Sequence, residues 1–189
     1  MELILIRHGL PERRADTHDP PLTAAGREQA QRVARRLAGD KVGAVFASTM
    51  QRAKETAAPF VAASELNLQL HDGIVEFDRG TGAYVPMEEL KRDDYPAWKA
   101  FVDEGFADIV SFQNIVIAAL EDIVQAHAGG SVAVFCHGGV VNVWTCHVLG
   151  MAPRLFFEPA YGSIHRYLCA RSGERNLVSL NERDHLRGE

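Results

Sequence analysis

Arg7-His8-Gly9 sets a permanent cation, an imidazole and a glycine directly after the apolar run Leu3-Ile4-Leu5-Ile6. A second histidine, in Cys136-His137-Gly138-Gly139, follows Val132-Ala133-Val134-Phe135 in the same way. Arginine presents a forked donor matched to the oxygens of a phosphate or carboxylate. An imidazole with one ring nitrogen held can act through the other as a nucleophile or proton carrier. A glycine at such a place lets backbone approach a ligand, and amides turning into a helix add partial positive charge for an anion. Arg52, in Ala47-Ser48-Thr49-Met50-Gln51-Arg52-Ala53, falls at a third transition from apolar run to helix. In α/β proteins the carboxyl ends of strands are where pockets form, so these residues describe one anion pocket.

The elements that must position them follow from periodicity. Residues 3–6, 42–47 and 132–136 are short apolar runs, the pattern of strands buried on both faces. Residues 164–168 and 177–180 add two candidates, separated by the turn-rich Arg171-Ser172-Gly173-Glu174. Between the strands the period lengthens. Ala30, Val33, Ala34 and Leu37 recur at helical spacing after Thr23, a helix N-cap, with Gly39 as a stop. Residues 49–64 read as a helix that Pro59 should kink or split. Residues 109–128 place Ile109, Phe112, Val116, Ala119, Leu120 and Ile123 on one side and stop at Gly129-Gly130. Residues 80–105 mix glycine, proline, acidic and aromatic side chains and read as a cap, with short helices at 87–91 and around Trp98. Strands separated by helices imply a three-layer α/β/α sandwich with a mostly parallel central sheet and right-handed crossovers. Residues 1–189 form one domain in this reading.

Composition narrows the partners. A chain of 189 residues that is 47% hydrophobic and carries a net charge of −5 fits a compact domain and argues against a nucleic-acid binder, whose domains are usually basic. Cys136, Cys146 and Cys169 are odd in number, lack paired spacing and lie among apolar residues, which predicts buried thiols rather than disulfides or a metal cluster. The chain enters a strand straight from Met1, and no apolar run reads as a membrane span. The expectation is a cytoplasmic protein with no membrane and no nucleic-acid partner.

In this order and spacing the pieces resemble the histidine phosphatase superfamily, also called phosphoglycerate mutase-like. They are Leu5-Ile6-Arg7-His8-Gly9; Pro21-Leu22-Thr23 with Gly26 and Gln29-Ala30; Ser48 with Arg52-Ala53 and Thr56-Ala57; Glu76 in Ile74-Val75-Glu76-Phe77-Asp78; and His137-Gly138-Gly139. The resemblance implies the phosphoglycerate mutase-like fold and a nucleophilic His8 that forms a phosphohistidine. Arg7, Arg52 and His137 would cradle the phosphoryl oxygens, which suits a reaction driven by positioning and electrostatics. Glu76 would protonate the leaving oxygen and then activate water, a role that asks for a raised carboxyl pKa. Gly9, Arg14, Gly138 and His165 are the candidate substrate contacts. The resemblance implies no cofactor and no metal.

The expected activity is that of a histidine acid phosphatase-type phosphoric monoester hydrolase, taking a small phosphorylated metabolite and releasing inorganic phosphate. A phosphoglycerate mutase-type transferase would use the same residues, and a non-catalytic module binding phosphorylated ligands or peptides would keep the pocket alone. Where many members continue from the first histidine with Glu-Thr and a nearby Asn, this chain has Leu10-Pro11-Glu12-Arg13-Arg14, which puts Arg14 at the spacing of that Asn. The family's Gly-x-Trp-x-Gly is reduced to Gly80-Thr81-Gly82-Ala83-Tyr84. Selectivity is therefore expected from the 10–19 loop and the 80–105 cap, through Arg13, Arg14, Arg79, Tyr84 and Trp98.

Overall fold

A computed structural model describes residues 1–14, 16–77, 87–105 and 108–187. Apolar runs become strands at the expected places: β1 (Glu2–Arg7), β2 (Ala44–Ser48), β4 (Ser131–Cys136), β5 (Ile164–Cys169) and β6 (Arg175–Glu182). A further strand, β3 (Leu68–His71), was not anticipated. Its side chains are half-buried or exposed, so its sequence carries neither the apolar run of a central strand nor a clear alternation. The sheet order is β3-β2-β4-β1-β5-β6. β3, β2, β4 and β1 run parallel to one another, whereas β5 is antiparallel to both β1 and β6.

Helices α1 (Ala24–Leu37), α2 (Gln51–Ser64), α5 (Ile109–Ala126) and α6 (Gly138–Val148) cover the sheet. Alternation along β1 shows why the strand is apolar throughout. Leu3 and Leu5 join Val116, Leu120, Ile123 and Trp144 in one core, while Ile4 and Ile6 join Val33, Leu37, Ala57 and Phe60 in the other. Each of these side chains is removed from water, worth about 1.5–3 kcal/mol apiece for the leucines, isoleucines, valines and Phe60, and the two cores sandwich the strand.

Thr23 caps α1 as expected, its hydroxyl accepting from the Gly26 amide at 2.9 Å. Of the expected kink or split at Pro59, the split does not occur, and α2 continues past it as one helix. A proline inside a helix costs ~3 kcal/mol, and here Arg52, Ala53, Thr56, Ala57 and Phe60 form a buried stripe on both sides of it. Helix α5 corrects the reading that no apolar run reaches bilayer length: its 18 residues have a mean hydropathy of 1.4. In this fold its apolar stripe packs into the core through Val116, Ala119, Leu120, Ile123 and Val124.

Within residues 80–105, expected to form a cap, lie α3 (Met87–Asp93) and α4 (Tyr95–Gly105), close to the predicted helices. Arg79, Gly80 and Tyr84 lie outside the described residues. The three cysteines are free and buried.

Candidate active site

Sheet topology assembles the site. β1 lies beside β4, with Arg7 paired to Cys136, so His8 and His137 emerge together at the same sheet edge. Their ring centroids are 5.1 Å apart. β2 lies on the other side of β4, and the first turn of α2 returns Arg52 to this edge. Arg52 is fully buried; its Nη1 donates to the His18 carbonyl at 3.1 Å and lies 3.6 Å from Asp19 Oδ1. The Asp19 carboxylate also accepts the Gln51 amide at 2.8 Å, which caps the start of α2 and ties the 10–19 loop to Arg52.

His8 is buried, and its Nδ1 lies 2.8 Å from the Gly9 carbonyl. A carbonyl only accepts, so Nδ1 carries the proton and Nε2 keeps its lone pair. Burial, followed by the charges of Arg52 and Arg7, pushes the His8 pKa well below its ordinary value, although the Gly9 carbonyl opposes the shift. His137 is shifted the same way by burial and by Arg52, His8 and Arg7. Burial and two guanidiniums thus keep two imidazoles neutral, and the surplus positive charge suits a multiply charged anion.

Arg7 is held on three sides. Its guanidinium donates to the Pro159 carbonyl, its Cζ sits 3.9 Å from the Tyr161 ring centroid, and Gly138 packs against it, where an added Cβ would lie 3.5 Å from Nε. Arg7 and Tyr161 also line a cavity of about 390 Å³ with Gln29, Glu158 and Arg183, whereas His8, Arg52, Glu76 and His137 are not part of its lining.

Glu76 arrives from β3 through a short 3₁₀ turn, Asp72–Ile74, anchored by buried Ile74. Its Oε2 accepts the Gly139 amide at 3.0 Å and its Oε1 the Phe77 amide at 3.2 Å. This sets the half-buried carboxylate against the start of α6, where the helix dipole favours negative charge. A Cβ at Gly139 would lie 2.1 Å from Glu76 Oε1, so a larger residue there would displace the carboxylate.

The structure therefore brings Arg7, His8, Arg52 and His137 into one cluster, with Gly138 against Arg7 and Glu76 against Gly139. Three candidate substrate contacts are engaged elsewhere. The Gly9 amide donates to Thr56 Oγ1 at 2.9 Å, and a Cβ at Gly9 would lie 2.6 Å from the Gly26 carbonyl. Gly9 thus permits close packing of α1. His165 is fully buried on β5, with Nε2 2.9 Å from Ser163 Oγ and Nδ1 accepting the Asn181 amide at 3.2 Å. Both ring nitrogens are used inside the protein. Arg14 makes a two-point pair with its near neighbour Asp16 at 3.0 and 2.8 Å on the exposed loop. Thr56, Asp19 and Tyr161 hold the cluster without having been assigned a role from sequence. The spacing from Arg52 to Thr56, one helical turn, was the available signal for the first of them.

The model of the histidine phosphatase superfamily (branch 1) matches residues 3–183. The chain belongs to this superfamily. Phosphoserine phosphatase 1 of Hydrogenobacter thermophilus is 27% identical over 98% of the chain and 94% of that relative. A phosphoglycerate mutase-like protein of Arabidopsis thaliana is 31% identical over 75% of the chain and 68% of its own length. Among solved structures, Entamoeba histolytica phosphoserine phosphatase in complex with 3-phosphoglyceric acid superposes with a TM-score of 0.79 at 27% identity. That match covers 98% of this chain and 99% of the other. Bacillus stearothermophilus YhfR gives a TM-score of 0.83 at 24% identity over 98% and 99% of the two chains, a likeness of fold.

Proposed function

We propose that this member of the superfamily hydrolyses a small phosphomonoester through a phosphohistidine on His8. The observation that carries the reading is the 2.8 Å contact from His8 Nδ1 to the Gly9 carbonyl, inside a cluster that keeps the ring neutral. The Nε2 lone pair attacks phosphorus and the bond to the leaving oxygen breaks. Glu76 supplies the proton that this oxygen takes up. Water then attacks the phosphohistidine, gives a proton back to Glu76 and releases inorganic phosphate. Arg7, Arg52 and His137 hold the oxygens on which charge builds, so positioning and electrostatics supply most of the rate.

Because burial and two arginines hold His8 neutral, the nucleophile stays competent below neutral pH, which supports acid phosphatase-type behaviour. The three buried free thiols support a reducing, cytoplasmic setting. The reading needs no metal, and phosphate release is expected to persist in a chelator.

Named relatives supply the first substrates to try: phosphoserine, 3-phosphoglycerate and the phosphate ester cleaved by the adenosylcobalamin/alpha-ribazole phosphatase of Escherichia coli, which is 28% identical over 80% of the chain. A panel of such esters scored by kcat/KM tests the proposal. One ester is expected to stand out with stoichiometric phosphate release. Isomerisation of phosphoglycerate outpacing phosphate release would instead make the chain a mutase, and phospholigand binding without turnover would make it a binding module.

A further inference from the structure

Ser48 lies at the end of β2, fully buried, in a motif that the reaction above leaves without a role. Its Oγ accepts the Met50 amide at 3.2 Å and lies 2.8 Å from His137 Nε2. A hydroxyl has one proton to give. If Nε2 were protonated, two N–H groups would converge on Oγ and the Ser48 proton would have no acceptor among the described residues. A buried donor without a partner costs ~1–3 kcal/mol. With Ser48 donating to Nε2, a single group is left unpaired within the protein, against two, the Ser48 proton and the Nδ1 lone pair, in the alternative. The imidazole proton then resides on Nδ1, a buried atom with no hydrogen-bond partner among the described residues.

We propose that Ser48 is a positioning residue: it fixes His137 as the neutral Nδ1–H tautomer and so turns that ring into a donor aimed at a phosphoryl oxygen. The charged and titratable groups around the ring agree. His8 and Arg7 face it from the end of β1 and Arg52 from α2, while Glu76 is held on the first turn of α6. Burial, together with the charges of Arg52 and Arg7, disfavours a second proton on the ring. His137 thus acts as a fixed dipole rather than as an acid, leaving proton transfer to Glu76. The catalytic consequence rests on the proposed phosphohistidine reading; the tautomer does not.

The test is ¹⁵N NMR of the imidazoles in the full-length protein, comparing wild type, Ser48→Ala and Ser48→Thr, with kcat and KM for phosphate release and a melting curve for each. Wild type should show a protonated Nδ1 and an unprotonated Nε2 at His137. Ser48→Ala should mix the tautomers and lower kcat roughly tenfold with little change in KM, short of the ~10²–10³ cost of losing an oxyanion donor outright. Ser48→Thr, which keeps the hydroxyl, should restore both. A protonated Nε2 in wild type overturns the proposal, as does Ser48→Ala with unchanged tautomer and kcat. Should Ser48→Ala fail to fold, the wild-type spectrum and Ser48→Thr still decide. If His8 proves not to be phosphorylated, the phosphohistidine reading fails while the tautomer assignment stands or falls by its own spectrum.

Discussion

The Gly9 amide donates to Thr56 Oγ1 at 2.9 Å, and that hydroxyl donates in turn to the Arg52 carbonyl at 2.7 Å. The backbone following His8 is therefore bonded to the helical turn that carries Arg52. Thr56→Val keeps the shape but leaves the buried Gly9 amide unsatisfied, a loss expected at about 1–3 kcal/mol. Thr56→Ser should lose far less. Denaturant midpoints of the two variants check this, and equal stabilities would remove Thr56 from the account.

Glu76 and Gly139 are fitted to each other so closely that Gly139→Ala must displace the carboxylate. If Glu76 is the proton donor, kcat on an ester of an aliphatic alcohol should fall by about 10²-fold or more, within the range of general acid catalysis. The fall should be much smaller with a nitrophenyl phosphate, whose leaving group departs without a proton. An equal fall on both substrates would point to general damage to the site instead.

Buried histidines also set the pH dependence of stability. Burial, with Arg7 nearby, lowers the His165 pKa from 6.5 to about 3. Between those values the unfolded chain binds a proton that the folded chain does not. Stability from this group is therefore complete above 6.5 and declines as pH falls. The slope approaches about 1.4 kcal/mol per pH unit for one such group. His165→Asn should flatten the curve between pH 5.5 and 4 by about that amount, read from denaturation at several pH values. His8 and His137 act with the same sign, so the protein should lose stability in acid before its neutral nucleophile loses competence.

The cluster of Arg7, His8, Arg52 and His137 was legible in sequence because each member sits at the end of a strand or in the first turn of a helix. There, local pattern and sheet topology together fix position. The substrate contacts were less so. Gly9 looked like a ligand glycine, and only the return of α1 shows that Gly26 occupies the space beside it. His165 was read as a substrate contact, yet Ser163, just before β5, and Asn181, on β6, take both its nitrogens. Arg14 has a local acidic partner two residues away. β3 escaped notice because an edge strand of four residues needs no apolar pattern.

Trapping the intermediate tests the central claim most directly. The full chain is mixed with a turned-over phosphomonoester, quenched within one turnover and digested, and its peptides are analysed by mass spectrometry under alkaline conditions that preserve phosphohistidine. The account predicts one phosphoryl group on His8, absent from His8→Ala together with phosphate release. Unimpaired release by His8→Ala, or a phosphoryl group carried on any other residue, would contradict it.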